Sequence, residues 1–97
     1  MTHYAPEPEL IQNYYEEPVR AAVRELAPEY PALQGEVLLD VLCVALNRLP
    51  PRYIRHKVDL SFYMTEKERA EMERAIDEAV RGAYAFVQAR VAMRARQ

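Results

Sequence analysis

One cysteine, two glycines and no long apolar run narrow what this 97-residue chain can be. With Cys43 alone there is no intrachain disulfide and no multi-cysteine zinc site, which fits a reducing compartment. Gly35 and Gly82 cannot build a phosphate-cradling loop. No stretch approaches the ~18 consecutive apolar residues of a membrane span, and the N-terminus has neither the basic segment nor the apolar core of a secretory signal. The expectation is a soluble, cytoplasmic protein. Catalytic spacing is missing too. His3 sits near the N-terminus, His56 lies among cations, and neither a Ser/His/Asp order nor His-Glu-x-x-His occurs. Asp77 and Glu78 read as the solvated side of a helix. The chemistry to expect is binding without an enzyme's reaction, a metal or a resident cofactor.

What is present suits a small globular domain. Hydrophobic residues make up 51% of the chain and charged residues 29%, and the length allows one domain over 1–97. A core of this size is modest, so a homodimer is expected on size alone. The formal charge of −2 hides an asymmetry. Arg48 to Lys57 holds four Lys/Arg and no carboxylate, leaving nine basic residues against 15 acidic ones elsewhere. The positive potential is local.

Residues 1–9, with Pro6 and Pro8, read as a flexible arm. From Leu10 the apolar positions Ile11, Tyr15, Val19, Ala22, Val23 and Leu26 recur at helical spacing. Pro18 interrupts them. Either the helix kinks there, which is the reading favoured, or it begins near Asn13 with Glu16 in capping-box position. Ala27 to Gly35 is a connector. Val37 to Leu46 is apolar on every side except at Asp40, the pattern of a helix surrounded by protein, and Pro50 should end it near Asn47 or Arg48. Val58 to Phe62 alternates apolar and polar, the period of a strand. A lone strand pairs most simply with its copy in a second subunit. Thr65 and Glu68 form a capping box that opens a last helix with Met72, Ile76, Val80, Ala83, Val87 and Val91 on one stripe. Such a helix, running to about Arg94, would span about 45 Å. Gly82 within it marks either a close approach by another backbone or tolerated drift. The expected fold is mainly α: three main helices and one short β-strand, the strand paired across a homodimer.

The functional candidates gather where the apolar helix meets the prolines. Asp40 and Asn47 fall on one helix face about two turns apart. Singly, Asp40 reads as a buried carboxylate with a partner and Asn47 as a helix-ending residue. Together, beside a cationic window, they can read a base edge: a carboxylate accepts guanine N1–H and N2–H, and an amide both donates and accepts. Arg48, Arg52, Arg55 and Lys57 taken alone are a solvated face. Two features raise them above that. Pro50 and Pro51 stiffen the backbone, so neighbouring side chains lose less entropy on capturing a ligand. Tyr53 offers a ring for stacking, and arginine grips phosphate or the guanine O6/N7 edge bidentately. Cys43 lies inside the apolar run, where a thiol is usually inert packing. The window suits a guanine nucleotide.

Ala45-Leu-Asn-Arg-Leu-Pro-Pro-Arg-Tyr53 resembles the ALNxLPPxY signature of the late-competence ComFB family, and Asp40-Val41 matches the acidic-apolar pair that precedes it there. Asn13, Glu16, Glu17 and Val19 are similar to that family's N-terminal pattern, with Pro18 where leucine is more usual. The resemblance covers roughly Leu10 to Val87. It implies a small, mainly helical, dimeric receptor for the bacterial second messenger cyclic di-GMP; a protein partner such as a transcription regulator is expected to receive the signal. Some members carry clustered cysteines before the Asp-Val pair, consistent with zinc; Leu33-Gln-Gly-Glu36 has none, so zinc is not carried over. On this sequence the implied contacts are Asp40, Asn47, Arg48, Arg52 and Tyr53, then Arg55 and Lys57, with Leu49, Pro50 and Pro51 shaping the backbone. The competing readings are a protein-interaction module and a nucleic-acid binder. The second would use the window with Arg90, Arg94 and Arg96, against the opposing charge of an acidic remainder.

Overall fold

A computed structural model describes residues 11–96. The element that organises it is α4, Glu66–Ala95, a 30-residue helix that crosses the whole domain. Thr65 caps it as the sequence predicts. Its Oγ accepts from the Glu68 amide at 3.1 Å while Glu68 Oε1 accepts from the Thr65 amide at 3.3 Å, satisfying donors that a helix start otherwise leaves open. Met72, Ile76, Val80, Ala83 and Val87 are buried along one stripe, with Val91 half-buried at its end. Fully burying a Met, Ile or Val side chain contributes roughly 1.5–3 kcal/mol.

Two shorter helices lie on that stripe. Helix α1, Glu16–Leu26, contributes Val19, Val23 and Leu26, and helix α2, Val37–Asn47, contributes Val41 and Ala45. Buried Tyr84 joins α4 to α1: its hydroxyl donates to the Val23 carbonyl at 2.6 Å, and its ring stacks on Tyr30 at 4.2 Å. A short 3-10 turn, Ala27–Glu29, and buried Leu33 fill the connector, where Gly35 takes φ 68. That angle is in the left-handed region glycine tolerates, which lets the chain reverse into α2.

Pro18 does not kink α1. The helix starts at Glu16, so the proline falls in the first turn, where a missing amide removes no intrahelical bond. Ahead of it, β1, Gln12–Asn13, pairs antiparallel with β2, Tyr53–Ile54, in the register Gln12↔Ile54 and Asn13↔Tyr53. The strand expected at Val58 to Phe62 is instead part of helix α3, Lys57–Tyr63. Five residues are too few to separate a period of two from one of 3.6, since Val58 and Phe62 also stand one helical turn apart. The sheet among the described residues therefore closes within one chain. The domain is mainly helical, as expected, with four α-helices among the described residues. The arm at 1–9 lies outside them.

Candidate functional site

Helix α2 ends where the double proline says it should, with Arg48 as its C-cap. Leu49 is buried and pegs the corner into the core, while Pro50 and Pro51 pass over the surface. Asn13 fixes the far side. Its Oδ1 accepts from the Arg52 amide at 2.9 Å and from the Tyr15 amide at 3.3 Å, and the Tyr14 amide donates to the Arg52 carbonyl at 2.6 Å. One side chain thus joins the start of α1 to the residue that follows the prolines.

The outer face of α2 is open, contrary to the expectation of a helix surrounded by protein. Leu39 is 62% exposed, and Asp40 and Cys43 are exposed as well. Burial comes from one side only, because α1 and α4 together cover the Val41 and Ala45 face. Asp40 is therefore no buried ion-pair member, and the Cys43 thiol is not sealed in packing. Asn47 turns its amide nitrogen back onto the Cys43 carbonyl at 2.9 Å. Its amide oxygen has no partner among the described residues.

Of the seven expected contacts, Asp40, Arg48, Arg52, Tyr53 and Arg55 fall on two surfaces with Leu49, Pro50 and Pro51 between them. On the first, Asp40 borders a cavity of about 240 Å³ between α2 and the C-terminal half of α4, whose walls include Val37, Val44, Val87, Val91 and Phe86. Arg48 reaches α4 beside it, with its guanidinium carbon 5.9 Å from the Phe86 ring centre. On the second, Arg52, Tyr53 and Arg55 share a shallow depression with Asp59 and Tyr63 of α3. Tyr53 is 66% exposed, so its ring is free to stack. Lys57 stands apart from both, ion-paired with Glu17 at the start of α1. Among the described residues, the guanidiniums of Arg48, Arg52 and Arg55 have no carboxylate partner.

Gly82 proves to be a point of close approach, to a side chain and not to another backbone. A β-carbon there would overlap the Arg48 guanidinium. Two residues missing from the expected set also appear on α4. Phe86 carries Arg48 on its ring, and Arg90 approaches the same ring at 5.6 Å. Their signal was in the sequence: Gly82, Phe86, Arg90 and Arg94 recur at intervals of one helical turn and so share a stripe.

The family model for Late competence development protein ComFB matches residues 12–91. The chain belongs to the ComFB family. The matched region runs from β1 through most of α4, so it includes the proline corner, both surfaces and Phe86. No curated protein and no solved structure matches the chain. Among the described residues of this ComFB domain, no helix is long and apolar enough to cross a membrane. No group of three His, Cys, Asp or Glu among them could hold a metal ion.

Proposed function

We propose that this ComFB-family protein is a non-enzymatic, cytoplasmic receptor for cyclic di-GMP, working as a homodimer and relaying the ligand-bound state to a protein partner. One observation carries the reading: exposed Arg48, Arg52 and Arg55, without carboxylate partners among the described residues, flank a proline-stiffened corner, and exposed Asp40 opens on a cavity beside it. Unpaired guanidiniums suit a dianionic ligand. A free carboxylate beside an apolar cleft suits the donor edge of guanine. Arg48, Arg52, Asp40, Asn47 and the Tyr53 ring are the principal contacts. Arg55 is secondary, and Lys57 joins only by leaving Glu17. No cofactor or metal is required.

Helix α3 supports the protein partner. It buries no side chain, and Phe62 and Tyr63 are 80% and 78% exposed with Val58 one turn before Phe62. An apolar edge at that spacing is the kind that seats in a groove of another protein. The same feature favours the interaction-module reading, in which the corner docks a regulator without nucleotide. A thermal-shift panel separates the two. Stabilisation by cyclic di-GMP, with little from GMP or GTP, supports the receptor, because a ligand selective for the native state raises its apparent stability. No shift with any nucleotide removes that reading.

A further inference from the structure

Arg48 and Arg90 approach the same ring, and neither has a carboxylate partner among the described residues. Each guanidinium gains from the ring face, by about 0.5–1 kcal/mol at exposed sites, yet gathering two like charges on one exposed ring works against them. On the same helix the charge of Arg81 is neutralised by Asp77 and Glu29. Here the nearest acid on the cavity rim, Asp40, is paired with neither arginine. The access is also built in. Gly82 is the position on α4 where a side chain would block Arg48, and Phe86 remains 42% exposed. The adjoining cavity, about 240 Å³, is below the ~300–1,000 Å³ of a site for a drug-sized molecule. It fits a fragment such as one base.

We infer that α4 supplies half of the ligand site: Arg48 and Arg90, held on Phe86, grip a phosphodiester of the cyclic dinucleotide while one guanine enters the α2–α4 cavity with its donor edge on Asp40. Arg90 is a ligand contact, and Phe86 and Gly82 are positioning residues. A phosphate between the two guanidiniums replaces their mutual repulsion with charge-assisted hydrogen bonds. The inference rests on the receptor reading and assigns α4 a role that the signature around the prolines does not.

Calorimetric titration of cyclic di-GMP into the full chain tests it, with Arg90→Gln, Phe86→Leu, Gly82→Ala, Arg52→Ala and, as a control on the same helix, Arg81→Gln. Arg90→Gln and Phe86→Leu should each weaken binding by about tenfold or more, and Arg81→Gln by less than about twofold. Arg90→Gln should also flatten the dependence of affinity on salt, which a purely structural change would not do. Gly82→Ala separates positioning from folding. It adds helix propensity and displaces only the mobile end of Arg48, so it should leave the melting temperature unchanged or higher while weakening binding. If the wild-type chain binds and Arg52→Ala weakens it, but Arg90→Gln and Phe86→Leu bind within twofold of wild type, the α4 half-site is wrong and the receptor reading stands. If the wild-type chain does not bind cyclic di-GMP, both fall.

Discussion

Two arginines on α4, about two and a half turns apart, meet opposite fates. Arg81 donates to both Asp77 oxygens, at 3.0 and 3.2 Å, and to Glu29 at 3.3 Å; these bonds and charges raise its pKa further above the ordinary guanidinium value. Among the described residues Arg90 has no ion pair, and it meets the Phe86 ring beside the open cavity. The contrast extends to their surroundings. Close to Arg81 in sequence, the buried Tyr84 hydroxyl is satisfied by the Val23 carbonyl. Around Arg90 stand an exposed thiol and, without ion-pair partners among the described residues, the Asp40 carboxylate and the Arg48 guanidinium. One region of the helix holds the fold together, and the other keeps its charges available.

That division can be broken most forcefully at Tyr84. Tyr84→Ala removes a ring stacked on Tyr30 and should destabilise the domain by about 3–5 kcal/mol in denaturant unfolding. Arg48→Ala and Arg52→Ala should do the reverse: each weakens cyclic di-GMP binding by about tenfold or more in calorimetry, with the unfolding midpoint unchanged. A large loss of stability in either would move that residue to the structural side of the comparison. Tyr84→Phe sharpens the same line, costing about 1 kcal/mol for the lost hydrogen bond to Val23. It carries a pH signature. Burial, then Tyr30, raises the Tyr84 pKa above the usual phenol value, so above about pH 10 the unfolded chain releases this proton first. The native state then binds more protons, and stability falls as pH rises there. Tyr84→Phe should flatten that fall. Arg81→Gln should give the smallest effect, close to the precision of a thermal melt, because exposed ion pairs contribute little.

Much of this organisation was legible in the chain itself. Thr65 and Glu68 announced the start of α4, its apolar stripe gave the buried residues, and Pro50 set the end of α2. The errors had local causes. Val58 to Phe62 satisfies two periods, and only tertiary context decided for the helix. Pro18 reads as an interruption until the start of α1 is known, after which it is an ordinary first-turn residue. The uniform apolarity of α2 suggested burial on all sides, whereas one domain of this size covers a single face and leaves Leu39, Asp40 and Cys43 outside. At the site, the ALNRLPPRY stretch drew attention to side chains near one another in sequence. Phe86 and Arg90 are distant in sequence and near only because α2 lies along α4, so their one-turn spacing gained meaning once that packing was seen.

The double acceptance by Asn13 links distant parts of the molecule mechanically. Because one oxygen holds both the Arg52 and the Tyr15 amides, a ligand that draws Arg52 inward must also tug on the opening turn of α1, while one that clamps it leaves both amides slower to exchange with solvent. News of occupancy would then travel to the N-terminal side of the domain through a single carboxamide.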